Sequence, residues 1–184
     1  TWTETDEDVA TDRLNSNTWA TIIGGSTNHE YGDDAYMLSD GSFLVLGRTS
    51  SFSEGEEDII LSKFNKYGVE QWSKTIGSTT DDDAAQMDVD SSGNIIIFGS
   101  TERGAGGYDG LIVKLDSSGV EQWSITHGGA AGGEYFYDGI IDSSGDYVAV
   151  GHSTATTVNG STIIAKFNSS GVEQWSKYLD DSAD

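Results

Sequence analysis

Carboxylates dominate the groups in this chain that could do chemistry. They are densest in Asp81-Asp82-Asp83 and, a few residues on, in Asp88-Val89-Asp90-Ser91-Ser92-Gly93-Asn94. Several oxygens offered from one loop are what a hard cation such as Ca²⁺ requires, which makes Asp81, Asp82, Asp83, Asp88 and Asp90 a candidate metal site. The spacing departs from an EF-hand loop because no Glu follows at the closing position. The competing reading is that Asp and Ser cap a turn by bonding to their own backbone. The same Asp-Ser-Ser-Gly at Asp116–Gly119, with no acidic cluster beside it, favours that reading. His29, His127 and His152 share no spacing or flanking motif and read as exposed loop histidines, His29 and His127 near the ends of Trp-bearing strands. There is no nucleophile elbow, phosphate loop or zinc-protease motif, and Gly104-Ala105-Gly106-Gly107 joins two strands and opens no helix. Asn159-Gly160-Ser161 and Asn168-Ser169-Ser170 match the N-glycosylation pattern, which makes Asn159 and Asn168 candidates.

The whole chain shares the acidic bias. Against 31 Asp and Glu stand nine Lys and Arg, a net charge of −22 that repels phosphate backbones and anionic lipid, so nucleic acid is not an expected partner. No apolar run approaches the roughly 20 residues a spanning helix needs, and no membrane insertion is expected. With no cysteine and no proline, 24 glycines and the Asp, Asn and Ser turns supply the punctuation. The chain begins at Thr1 without a signal-like apolar stretch and reads as a processed or excised segment.

The elements that must position these groups come from a repeat. Val-Glu-Gln-Trp-Ser occurs at Val69–Ser73, Val120–Ser124 and Val172–Ser176, each time after a glycine. Trp19, Trp72, Trp123 and Trp175 stand 53, 51 and 52 residues apart, and a fixed period in this range signals a tandem array. Gly41, Gly93 and Gly145 recur at an interval of 52, as do Gly47, Gly99 and Gly151. Such spacing predicts a positive-φ turn glycine and a close-packed glycine at a strand end.

Each period holds four short strands. In the first they are Asp34–Leu38, Phe43–Gly47, Asp58–Phe64 and the Val-Glu-Gln-Trp segment, separated by turn residues. The fold class is therefore all-β, a β-propeller-like array of three four-stranded antiparallel blades at about residues 31–76, 83–126 and 135–179. An extra strand at 17–25 precedes them, within a repeat domain of residues 17–184 that follows an acidic arm, 1–16. The runs Phe43–Leu46, Ile95–Phe98 and Tyr147–Val150 are apolar at nearly every position and predict inner strands buried on both faces. Four-residue turns at Asn65–Gly68, Asp116–Gly119 and Asn168–Gly171 would set Phe64 opposite Val69, Lys63 opposite Glu70 and Leu61 opposite Trp72. In the later blades they would set Lys114 opposite Glu121 and Lys166 opposite Glu173.

Taken together, the Gly-Gly, the Asp/Ser-Gly turn, the apolar strand ending in Gly, the Asp-Ile-Ile-Leu-Ser-Lys-Phe-like strand and the Gly-Val-Glu-Gln-Trp segment resemble the short propeller repeats of secreted bacterial and archaeal surface proteins, the SBBP-type group. The resemblance covers about Trp19 to Leu179. It implies an extracellular or cell-surface β-propeller module and brings no catalytic residues with it.

Two readings of function follow. The first is a non-enzymatic structural module that self-assembles into a surface filament or array, because three blades and a lone strand fall short of the at least four blades of typical closed propellers and leave sheet edges that another copy could pair. Trp175 lacks the glycine found five residues after the other repeat tryptophans and carries Asp180-Asp181 instead, as a terminal repeat would. The second is a module binding carbohydrate or another surface ligand through the loops Thr49–Glu57, Thr101–Tyr108 and Ser153–Gly160, whose aromatics are Phe52 and Tyr108. An enzyme is not expected, for want of an acid–base or nucleophile constellation.

Overall fold

The computed structural model describes residues 29–53, 56–102, 107–129, 132–154 and 160–179. The predicted arm 1–16, the strand 17–25 with Trp19, and Asn159 lie outside these residues. Twelve antiparallel strands form three four-stranded sheets, each built from consecutive strands in chain order. Sheet 1 comprises β1 (Glu30–Met37), β2 (Phe43–Thr49), β3 (Asp58–Phe64) and β4 (Glu70–Ile76). Sheet 2 comprises β5 (Asp82–Val89), β6 (Ile95–Glu102), β7 (Tyr108–Leu115) and β8 (Glu121–His127). Sheet 3 comprises β9 (Glu134–Ile141), β10 (Tyr147–Ser153), β11 (Ser161–Phe167) and β12 (Glu173–Leu179). The sheets do not close into a ring.

The first hairpin of every sheet closes in the same way. Leu38, Asp90 and Asp142 donate their N–H to the carbonyls of Ser42, Asn94 and Asp146, and Gly41, Gly93 and Gly145 take φ of 84°, 84° and 79°. That conformation is open to glycine and costly for other residues. The first strands are longer than the sequence pattern suggests, since β1 starts at Glu30. Each of them slips past one residue in its pairing with the second strand, for example between Gly32 and Asp34. The slip drops a carbonyl onto the glycine opposite. A Cβ at Gly47, Gly99 or Gly151 would run into the oxygen of Tyr31, Asp83 or Tyr135. These glycines therefore sit inside their strands, at a β-bulge, and not at strand ends.

The hairpin between third and fourth strands departs from the expected register. Asn65 N–H bonds Val69 O, so three residues form the loop and not four, and Gly68 holds a φ of 77°. A second slip follows the turn, pairing Phe64 with Glu70, Lys63 with Trp72 and Leu61 with Lys74. The same register recurs as Lys114 with Trp123 and Lys166 with Trp175. The expected Lys–Glu cross-strand pairs are thus absent. A type I turn with a left-handed glycine shortens the loop by one residue, and the bulge moves the partners by another.

Packing uses one rule twice. Leu44, Leu46, Ile59 and Leu61 of sheet 1 meet Met87, Ile95, Ile97, Leu111, Val113 and Leu115 of sheet 2. Ile96, Phe98 and Ile112, on the opposite side of sheet 2, meet Phe136, Tyr147, Ala149, Ile163, Ala165 and Phe167 of sheet 3. Every sheet therefore has a receiving face and an onward face, related by the repeat. Among the described residues the middle sheet is the one with another sheet packed on each face. The second strands are central in their sheets, but only β6 is buried throughout its apolar run, whereas Val148 and Val150 of β10 are half-buried because nothing described lies beyond sheet 3.

Ile96 has no exposed surface, so Ile96→Asp places an unpaired charge between two sheets and is expected to cost several kcal/mol, enough to abolish the cooperative transition. Val148→Asp, on the open face, is expected to cost less than half as much. Urea denaturation followed by circular dichroism separates the two, and equal losses would show that the two positions are equally enclosed.

Candidate functional site

The candidate metal ligands do not share a loop. Asp81–Asp83 lie at the start of β5 and Asp88–Asp90 at its end, about 20 Å apart at the rise of an extended strand. Each carboxylate already has protein partners. Asp81 accepts from Glu57 N at 3.1 Å and from the Tyr108 hydroxyl at 3.0 Å. Asp82, 4% exposed, accepts from Ser78 N at 2.7 Å. Asp83 pairs with Arg48 at 3.2 Å, and the same guanidinium holds Asp33 at 3.2 Å and Glu57 at 3.5 Å. Asp88 accepts from Val89 N at 2.7 Å and from Ile141 N at 3.3 Å. Among the described residues no group of three or more His, Cys, Asp or Glu converges as a cation would need.

Asp90 serves its turn, accepting from Ser92 N at 2.8 Å, Asn94 N at 2.9 Å and the Asn94 side chain at 2.7 Å. Burial pushes its pKa up, but these bonds and the Lys114 charge outweigh that, and the carboxyl is held below its ordinary value. The hydrogen bond from Lys166 does the same for Asp142, helped by Asp146 N and Ser144 N. The repeat lysines thus reach the acidic turns of the first hairpins. Lys114 stands 3.6 Å from Asp90 and donates to the Tyr147 hydroxyl at 2.9 Å, while Lys166 stands 2.7 Å from Asp142 and 3.2 Å from Asp146. Between the turns of sheets 2 and 3 lies a groove of about 550 Å³ lined by Asp88, Asp90, Lys114, Asp142 and Tyr147.

The most enclosed polar cluster is one that the sequence pattern does not announce. His127 is not an exposed loop residue. It ends β8 with only 10% of its side chain exposed, and its Nδ1 lies 2.7 Å from Glu134 Oε2. Glu134, itself 2% exposed, also accepts from the Tyr178 hydroxyl at 2.7 Å and from Ser153 Oγ at 3.2 Å. His127 Nε2 stands 3.5 Å from Glu173, and the rings of Phe136 and Phe167 lie 5.9 and 6.0 Å from the imidazole. Burial, then the bond to Glu134, pushes the Tyr178 phenol up to about 12. The cluster ties β8 of sheet 2 to three strands of sheet 3 and satisfies a buried carboxylate, the condition under which such a group can be enclosed. A signal for it does exist in the repeat. Glu30, Asp82 and Glu134 recur at 52 residues, and each faces a hydroxyl at the same interval, Thr49, Thr101 and Ser153.

The remaining candidates are dispersed. His29 is exposed, and His152 packs beside Gly160. Asn168 caps its own turn, accepting from Ser170 N and Val172 N at 3.0 Å each. Each of the three long loops contains residues outside the description. Of their aromatics, Phe52 is 48% exposed and the Tyr108 ring lies tilted 5.1 Å from that of Tyr135.

Glu134→Ala removes the acceptor that His127, Ser153 and Tyr178 share and is expected to lower stability by about 2–4 kcal/mol, whereas Glu173→Ala, at a half-exposed site, costs under about 1. Chemical denaturation measures both. Because the carboxylates near β5 already have partners, millimolar Ca²⁺ is expected to raise the melting temperature of the wild type and of the Asp88→Asn/Asp90→Asn double variant alike, by screening charge. A gain confined to the wild type would instead identify a site.

Comparison with known proteins adds one partial likeness. No family model matches the chain. Over 111 residues it is 27% identical to the regulatory protein FlaEY of Caulobacter vibrioides, an alignment that takes in 51% of this chain and 12% of that protein, so the chain spans only a small part of that relative's length.

Proposed function

We propose that this chain is a non-enzymatic structural module of a propeller-like repeat array, which assembles with further copies of itself. The observation that carries the reading is the open onward face of sheet 3. It bears the residue types that cover the two internal junctions, with Val148, Val150 and Ile164 half-buried, Ile140 58% exposed and Trp175 42% exposed. A cluster of exposed apolar side chains on one sheet face is characteristic of interaction sites. The approach of β5 to β1 and of β9 to β5 supports the propeller-like description, since it brings the first strands of successive sheets together. The resemblance to repeats of secreted surface proteins supports an extracellular or cell-surface location, where the array would form a filament or layer. The net charge of −22 fits a solvated outer surface that avoids non-specific association.

Sedimentation velocity of the full chain from micromolar to near-millimolar concentration tests the reading. The expected outcome is a concentration-dependent series of oligomers. A chain that remains monomeric throughout, at ionic strength high enough to screen its charge, would remove the basis for self-assembly.

A further inference from the structure

Resting on that reading of an assembling module, we infer that the onward face of sheet 3 docks on the receiving face of sheet 1 in a second copy, head to tail, reproducing the two junctions inside the chain. Two recurring contacts define those junctions. The first is a tryptophan laid over a turn glycine of the next sheet. A Cβ at Gly119 would stand 3.0 Å from the Trp72 ring, and one at Gly171 would stand 3.3 Å from the Trp123 ring. Trp175 is the third of this series and is exposed, while Gly68 is the corresponding turn glycine of sheet 1.

The second contact is an aspartate that bridges first strands. Asp34 accepts its neighbour Ala35 N–H on Oδ1 at 2.7 Å, and its Oδ2 crosses the junction to Met87 N at 2.9 Å. Asp88 does the same with Val89 N at 2.7 Å and Ile141 N at 3.3 Å. Asp138 repeats the first half, accepting Gly139 N–H at 2.8 Å, but it is exposed on the open face and no described amide meets its Oδ2. The surface therefore presents one unmatched tryptophan, at the position of Trp72 and Trp123, and one unmatched carboxylate at the register position of Asp34, since Asp138 lies opposite Val150 as Asp34 lies opposite Leu46, whereas Asp88 bridges from two residues further along its strand, opposite Ile96. The partner surface that fits is a first strand and a Gly-bearing turn of the same repeat. Sheet 1 supplies these on its receiving face, where Val45 and Phe43 of β2 are half-buried, Ile60, Ser62 and Phe64 of β3 are buried, and a cavity of about 200 Å³ is lined by Val45, Gly47, Ile60 and Ser62. Such a contact is heterologous and can propagate.

Complementary blocking tests the geometry with the full chain. Val150→Asp disables the onward face and Val45→Asp the receiving face, and circular dichroism confirms that each variant is folded. Each variant alone is expected to sediment as a monomer, and their equimolar mixture as a one-to-one dimer, because each retains the face the other has lost. Self-association of Val45→Asp alone would mean that sheet 3 pairs with its own copy, and would overturn the inference. A monomeric mixture beside an assembling wild type would overturn it too while leaving the assembly reading intact; only a monomeric wild type defeats both. Asp138→Lys and Trp175→Ala, both at exposed positions, give a second readout that does not depend on tolerance of a charge within a sheet. Each is expected to weaken wild-type association about tenfold or more, and unchanged association in both would overturn the inference.

Discussion

A β-sheet that is apolar on both faces has to be covered on both, and the architecture of this chain follows from that constraint. Sheet 2 meets it within the chain, since Ile95 and Ile97 are buried against sheet 1 and Ile96 and Phe98 against sheet 3. Burial of large apolar side chains contributes roughly 1.5–3 kcal/mol each, far more than the exposed ion pairs can, and β6 concentrates four such residues in one run. Sheets 1 and 3 each pack against another sheet on one face, and on the other face β11 of sheet 3 is left more exposed than β3 of sheet 1. The stack is thus ordered by repetition of a single junction, and its end faces are defined by what that junction lacks.

The polar groups sit where the junctions leave room for them. Glu134 is enclosed because His127, Ser153 and Tyr178 surround it, and the cluster seals the edge of the sheet 2 to sheet 3 junction beyond Phe136 and Phe167. Buried acids at the head of the third strands show the same economy of space. A Cβ at Gly77 would collide with the Asp58 side chain, and one at Gly128 with that of Asp109. In the third repeat Ser161 stands in place of the acid, and the residue five beyond Trp175 is Asp180, not glycine. The steric demand for glycine goes with the carboxylate, which accounts for this departure from the repeat without reference to where the chain stops.

The acidic turns illustrate how density of charge in sequence differs from density in space. Asp90, Asp116 and Asp142 each bend back to the amides two and four residues on, so one oxygen is committed to the turn before any ligand is considered. The carboxylates of Asp82 and Asp83 leave neighbouring positions of one strand toward opposite faces, one toward Ser78 and one toward Arg48.

By itself the sequence determined the period, the number of sheets, the bounds of the first repeat's third strand and the turn glycines, because these depend on interactions within a few residues: a left-handed glycine, an Asx-capped turn, an unbroken apolar run. Four features were decided only by the tertiary structure. The bulges at Gly47, Gly99 and Gly151 required a partner strand, and the pairing of Lys63 with Trp72 depended on the combined effect of a shortened loop and a bulge. Tyr147–Val150 and Ile95–Phe98 look alike in composition, yet one alternates and the other is wholly buried, since only the position of a sheet in the stack determines how many faces are covered. The Glu134 cluster joins residues from β8 to β12 that no short-range pattern connects, and it forms because a buried carboxylate must find donors wherever the packed strands bring them.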